Sequence, residues 1–132
     1  ELPRFIEGLE GQRVLLAEDN EINQIVAKEL LEGMGLVVDI ADNGRIAVDM
    51  ICKGGYAAVF MDIQMPEMDG FEATRMVRAT PGFRNLPIIA LTAATLPDNI
   101  AEIINAGMND HIGKPFSMTT LRNKLAKWLK LH

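Results

Sequence analysis

VFMDIQMPEMDG, residues Val59 to Gly70, joins an apolar run to a carboxylate and then to a turn. The run Ala57 to Met61 has the length and the aromatic and β-branched content of a buried strand, and the Met, Pro and Gly that follow break it off sharply. Asp62 ends that strand. A charge at the end of a buried strand is costly unless something meets it there. The fold therefore turns on whether other strands of the chain deliver polar groups to the same place.

Working outward, short apolar runs alternate with longer segments of helical period, the pattern of repeated βα units and a mostly parallel sheet. Toward the N-terminus, Val37 to Ala41 reads as a second strand and Arg13 to Ala17 as the first. Between them Ile22, Ile25, Val26 and Leu30 form an apolar helical face that ends near Gly33 to Gly35. Asn43-Gly44 opens a helix carrying Ile46, Ala47, Met50 and Ile51, stopped by Gly54-Gly55. Toward the C-terminus, Gly70-Phe71 leads into a helix that ends near Thr80, before Pro81-Gly82. Pro87 to Leu91 is a fourth strand. Pro97-Asp98-Asn99 starts a helix with Ile100, Ile103 and Ile104 inward and Gly107 in the left-handed position past its end. Asp110 to Gly113 is a short fifth strand, and Ser117 caps a last helix. Its buried stripe is Leu121, Leu125, Trp128 and Leu129, with Arg122, Lys124, Lys127 and Lys130 solvated. Residues 1–12, with Pro3, Gly8 and Gly11, read as a linker or leader, and residues 13–131 as one domain.

Composition narrows the function. The 132 residues are 48% hydrophobic and 23% charged, an ordinary globular balance. No apolar run approaches the ~20 residues of a membrane span, and the start lacks the basic and apolar regions of a secretory signal, so a cytoplasmic setting with no membrane contact is expected. A net charge of −5 argues against direct nucleic-acid binding. The lone Cys52 has no partner at metal-binding spacing and reads as structural filler.

In an open doubly wound sheet, ligands bind at the carboxyl ends of the strands, where strand order reverses. Here the first strand runs into Glu18-Asp19, the third into Asp62, the fourth into Thr92 and the fifth into Lys114-Pro115. Asp42, after the second, reads as a helix cap. Each residue alone has an ordinary reading: Asp19 and Asp62 as caps or turn residues, Thr92 as a strand end, Lys114 as a solvated cation. Together they differ. Clustered carboxylates repel, and a divalent cation relieves that repulsion. Hard oxygen donors without Cys or His favour magnesium over zinc, with manganese as the alternative, and Met61, Met65 and Met68 are too soft for such a site and read as packing. Lys114 offers a mobile point charge, and Thr92 a hydroxyl, to a phosphoryl oxygen.

Four motifs, EDN at Glu18 to Asn20, MDIQMPEMDG at Met61 to Gly70, LTA at Leu91 to Ala93 and KPF at Lys114 to Phe116, resemble the receiver domain of two-component response regulators. The resemblance covers residues 12 to 131. It implies an α/β fold with a five-stranded parallel sheet of order 2-1-3-4-5 flanked by five helices. It also implies magnesium-dependent phosphorylation of Asp62 by a phosphohistidine. Asp19 would bind the metal directly, Glu18 through a water, and Gln64 by its backbone carbonyl. Lys114 would pair with the phosphoryl oxygens, Thr92 would bond to the phosphoryl group, and small Ala93 would leave room for it. A cis bond before Pro115 is implied as well.

Two departures stand out: Glu18 where many members carry Asp, and His111 where an aromatic switch residue is usual. His111 could turn inward as an aromatic would, or stay out and titrate near neutrality. The resemblance implies a histidine kinase or histidine phosphotransfer domain as partner, and a dimer through the fourth helix, fifth strand and fifth helix is compatible with it. The leader and the lack of an output module resemble a receiver from a hybrid sensor kinase, whose parent chain could be membrane-anchored; a stand-alone regulator is the alternative. Self-catalysed phosphorylation and dephosphorylation is the only turnover expected. A receiver acting by protein contact alone and a small phosphohydrolase are the competing readings. The phosphohydrolase would want a second acid where Gln64 stands.

Overall fold

The computed structural model describes residues 10–92, 97–114 and 117–129. The elements alternate strictly: β1 (Arg13–Ala17), α1 (Glu21–Glu32), β2 (Val37–Ala41), α2 (Gly44–Cys52), β3 (Ala58–Asp62), α3 (Gly70–Ala79), β4 (Ile88–Thr92), α4 (Pro97–Ala106), β5 (Asp110–Gly113) and α5 (Met118–Trp128). Expectations for residues 1–9, Ala93, Pro115, Phe116, Lys130 and His132 lie outside the described residues.

All ladders are parallel and the strand order is β2-β1-β3-β4-β5. Alternation sorts the side chains into two layers, as period two demands. Leu15, Ala17, Val59, Met61, Ile88 and Ala90 face α2, α3 and α4 through Ala47, Ile51, Ala73, Val77 and Ile103. Val14, Leu16, Ala58, Phe60, Ile89 and Leu91 face α1 and α5 through Ala27, Leu31, Leu121 and Leu125. Strand order reverses between β1 and β3, where Ala17 lies opposite Met61, so Glu18 and Asp62 leave the sheet as neighbours.

Two strands sit one residue later than the periodicity predicts. Pro87 has no N–H to give a ladder and contributes only its carbonyl, which accepts from Val59 N at 2.9 Å, so β4 begins at Ile88. β3 starts at Ala58 and extends to Asp62, which pairs in register with Leu91; the carboxylate belongs to the strand itself.

The helix faces need more correction. In α1 the buried residues are Ala27 and Leu31, whereas Ile22, Ile25 and Val26 are 71%, 60% and 44% exposed. Gln24 turns the helix: its side chain bonds to the ends of β1 and β2, so positions 24, 27 and 31 face the sheet. In α4, Ile103 is inward but Ile104 is 65% exposed. In α5, Lys124 is not merely solvated. Its ammonium lies 2.8 Å from Asp110, and Trp128 Nε1 donates to the same carboxylate at 2.8 Å. Cys52, read as structural filler, is exposed at the end of α2. Met61 and Met68 are buried and Met65 packs against them, as a packing role requires.

The helix ends follow their sequence signals. Asn43 and Ser117 cap α2 and α5 through Ile46 N and Thr120 N, and Gly107 has a positive φ past α4. Asn43 takes the α2 cap expected of Asp42, which accepts from Gln24 instead. Among the described residues, no helix is long and apolar enough to cross a membrane.

Candidate functional site

The strand ends of β1, β3 and β5 converge on one carboxylate cluster. Oxygens of Glu18, Asp19 and Asp62 all lie within 4.8 Å of one another. Lys114 Nζ stands 2.7 Å from Asp62 Oδ2 and 2.7 Å from Glu18 Oε1. The sheet register makes this meeting inevitable: Glu18 and Asp62 follow paired residues of β1 and β3, and Lys114 follows Gly113, which pairs with Thr92.

Each acid is held differently. Glu18 is 1% exposed, with its N–H on Ala41 O at 3.0 Å and Oε2 accepting from Asn20 N at 3.0 Å. Its other oxygen, Oε1, is buried with no aligned hydrogen bond and lies 2.7 Å from the Lys114 ammonium. Asp62 is 6% exposed; Oδ1 accepts from Gln64 N at 3.0 Å, leaving Oδ2 for the lysine. Asp19 reaches the cluster from the exposed side.

Burial pushes the Glu18 carboxyl up from its ordinary value, against the pull of Lys114 and the Asn20 amide. Burial also works against the Lys114 ammonium, but the hydrogen bonds and charges of Asp62 and Glu18 outweigh it and hold that group above its ordinary value. The cluster is short of positive charge: a single ammonium serves two buried carboxylates, while Asp19 stands alongside.

These donors fit magnesium. The set is all oxygen, one buried carboxylate oxygen lacks a hydrogen bond, and the three acids are close enough to share an ion.

The turn after Asp62 is fixed at several points. Ile63 N donates to Leu91 O and Gly70 N to Ile63 O, while Met68 N donates to Pro66 O at 2.7 Å. Asp69 caps α3 through Glu72 N at 2.8 Å. Glu67 has a φ of 68°, in the left-handed region.

Not every expected residue joins the cluster. Thr92 is buried, and its hydroxyl makes a long 3.5 Å contact with Ile112 O, not with Asp62. His111 is half-buried, its Nδ1 3.8 Å from Asp110. Gln24 was missed by sequence reasoning: Nε2 donates to Glu18 O at 2.6 Å and to Asp42 Oδ1 at 2.9 Å, bracing the backbone that carries Glu18 and Asp19. The available signal was a polar residue, one turn into α1, set between Ile22 and Ile25.

Comparison with known proteins agrees with this geometry. Residues 14–126 match the family described as response regulator receiver domain. The chain is 40% identical over 121 residues to the aerobic respiration control sensor protein ArcB of Escherichia coli K12, covering 91% of this chain but 15% of that protein. It thus spans about one seventh of the length of the curated sensor proteins it matches. Among solved structures, the receiver domain of sensor histidine kinase PA1611 from Pseudomonas aeruginosa PAO1, with a magnesium ion coordinated in its active-site cleft, is similar with a TM-score of 0.86 and 40% identity, over 91% of this chain and 98% of that one. The receiver domain of the Saccharomyces cerevisiae response regulator Ssk1, crystallised with the histidine phosphotransfer protein Ypd1, comes from a structure with a TM-score of 0.84 and 29% identity, over 92% of this chain and 91% of that one. With the strand order, the strand-end acids and the family match in agreement, the chain belongs to the response regulator receiver domain family of two-component signalling.

Proposed function

We propose that this receiver domain is a phosphoacceptor in a histidine-to-aspartate relay. Asp62 takes the phosphoryl group from a phosphohistidine on a histidine kinase or histidine phosphotransfer domain, in a magnesium-dependent step. The observation that carries this reading is the position of Lys114, 2.7 Å from the carboxylate of Asp62, in a cluster whose acids outnumber their cation.

In the transfer, an electron pair of the Asp62 carboxylate forms a P–O bond as the P–N bond to the donor imidazole breaks. The released pair stays on the ring nitrogen, which takes up a proton. The Glu18, Asp19 and Asp62 side chains and the Gln64 carbonyl are the groups that would hold magnesium. When bound, the ion supplies positive charge against the phosphoryl oxygens. The Gln64 amide fixes one Asp62 oxygen and thereby orients the other for attack. Lys114, on a flexible stem, exchanges its Glu18 contact for a phosphoryl oxygen. Thr92 has only a long contact to give up and turns its hydroxyl to the new group. The added charge and acceptor oxygens then bias the strand-end loops toward a second conformation, which His111 on β5 reports.

The exposed Ile22, Ile25 and Val26 on α1 follow directly on the Glu18–Asn20 loop and offer an apolar surface to a helical phosphodonor beside the site. That a similar receiver forms a complex with a histidine phosphotransfer protein supports such a partner.

Incubation with acetyl phosphate and magnesium, read by intact mass, tests the proposal. One phosphoryl group should add to the wild type and none to Asp62→Asn. An unmodified wild type, or an Asp62→Asn variant modified to the same extent, overturns it.

A further inference from the structure

The turn Ile63–Asp69 carries Gln64 and meets a helix that begins far from it in sequence. Gly44, the first residue of α2, is buried, and its N–H donates to Met68 O at 3.1 Å. The first amides of a helix have no partner within it, and the Asn43 side chain serves Ile46, so the Gly44 amide finds its acceptor in the turn. The approach leaves no space for a side chain. A Cβ at Gly44 would lie 2.1 Å from Met68 O, 2.8 Å from Met68 C and 3.1 Å from Asp69 O. These are backbone atoms, and they cannot swing aside as a side chain would.

The far end of the turn is equally close. A Cβ at Gly70 would lie 2.2 Å from Asp62 O and 2.9 Å from Ile63 Cα. Between the two glycines, Met68 is anchored in the core and Glu67 is kept at a φ of 68° that a non-glycine residue adopts at a cost. The turn is thus closed at its base by Gly70 and pinned near its end by Gly44. A shift of Met68 passes through Asp69 and Gly70 to Ile63 and to the Gln64 amide that holds Asp62.

We propose that Gly44 is a positioning residue for the phosphoacceptor site, because its bare backbone lets the start of α2 clamp the Ile63–Asp69 turn in the shape that presents Asp62 and Gln64. The inference rests on the phosphoacceptor reading. It adds to that reading a residue on another element that touches neither phosphoryl group nor metal. Accommodating a methyl at Gly44 requires a displacement of about 1 Å, enough to cost on the order of a hundredfold in an aligned transfer.

Gly44→Ala is compared with Val77→Ala, a core truncation two turns into α3 that lowers stability. Amide shifts of the metal-free proteins, magnesium affinity by calorimetry and the rate with acetyl phosphate are read together. For Gly44→Ala, shift changes should concentrate at residues 62–70, with magnesium affinity weakened about tenfold and the rate by more. Val77→Ala should keep affinity and rate within about twofold of wild type. If Gly44→Ala does not fold, Asn43→Ala keeps the glycine but loosens the helix start; it should weaken magnesium about two- to fivefold and move the same amides. Unchanged turn shifts and affinity in the folded variants overturn the proposal, as does an equal loss in Val77→Ala. If the wild type neither binds magnesium nor takes a phosphoryl group, the phosphoacceptor reading fails, and the metal-free shifts alone decide whether Gly44 holds the turn.

Discussion

Lys114 Nζ lies 2.7 Å from Asp62 Oδ2 while contacting Glu18 at the same distance, so one ammonium bridges two acids that burial would otherwise force apart or protonate. Removing one partner of a buried charge cluster leaves the rest uncompensated, at a cost of about 3 kcal/mol. Lys114→Met is therefore expected to lower stability by about that amount without magnesium and to recover part of it when magnesium is added. Urea denaturation with and without the ion measures both. Equal losses in the two conditions would show that the lysine does not share its acids with a metal.

The backbone of the neighbouring turn predicts a stabilising change. Glu67 is exposed and sits at a φ of 68°, a conformation that costs an L-residue about 1–2 kcal/mol. Glycine there removes the strain but gives back some of the gain through a more flexible unfolded chain. Glu67→Gly is expected to raise stability by about 0.5–1 kcal/mol. A thermal or urea midpoint that falls would show that the Glu67 side chain makes a compensating contact.

Element order and the acid cluster were legible because each rests on local pattern: apolar runs, turn residues, and a polar group closing each core run, with two strands displaced by one residue. The facing of α1 was not. Ile22, Ile25 and Val26 have helical spacing and hydrophobicity, but the buried stripe is set by Gln24 reaching the ends of β1 and β2, a contact between residues distant in sequence. The same applies to Lys124, whose partner Asp110 lies on another element. Gly44 read as part of the Asn-Gly pair that opens a helix; the closeness of Met68 exists only once α2 packs against the turn after β3. Local rules name the element, while long-range contacts decide which face it turns inward.

Asp110 gives the fold a pH dependence away from the carboxylate cluster of Glu18, Asp19 and Asp62. Burial alone would raise its carboxyl, but Lys124, Trp128 and the His111 amide together hold it at about 2. Because the folded value is depressed, its contribution is present above the ordinary carboxylate range and is lost as pH falls from about 4 toward 2. The shift is worth about 2 kcal/mol at neutral pH. Asp110→Asn should lose that amount at pH 7 and little at pH 2, so the two stability curves converge in acid. Parallel curves through that interval would reject the assignment.

The exposed face of α1 separates stability from partner binding. Ile22, Ile25 and Val26 are 71%, 60% and 44% exposed, so replacing them with polar residues should change stability by no more than about 0.5 kcal/mol. Their apolar area lies next to the Glu18–Asn20 loop, where the proposed relay would bring a phosphohistidine, and apolar contacts central to an interface can carry about 1–2 kcal/mol each. Ile22→Ser with Ile25→Ser should thus leave the acetyl phosphate reaction unchanged, since that donor is too small to use the surface. Transfer from a phosphorylated histidine phosphotransfer protein should slow by roughly tenfold or more at subsaturating concentration. The contrast between the two donors is the decisive reading. Equal slowing with both places the effect in the site itself, and no slowing with either frees this face from any part in phosphodonor docking.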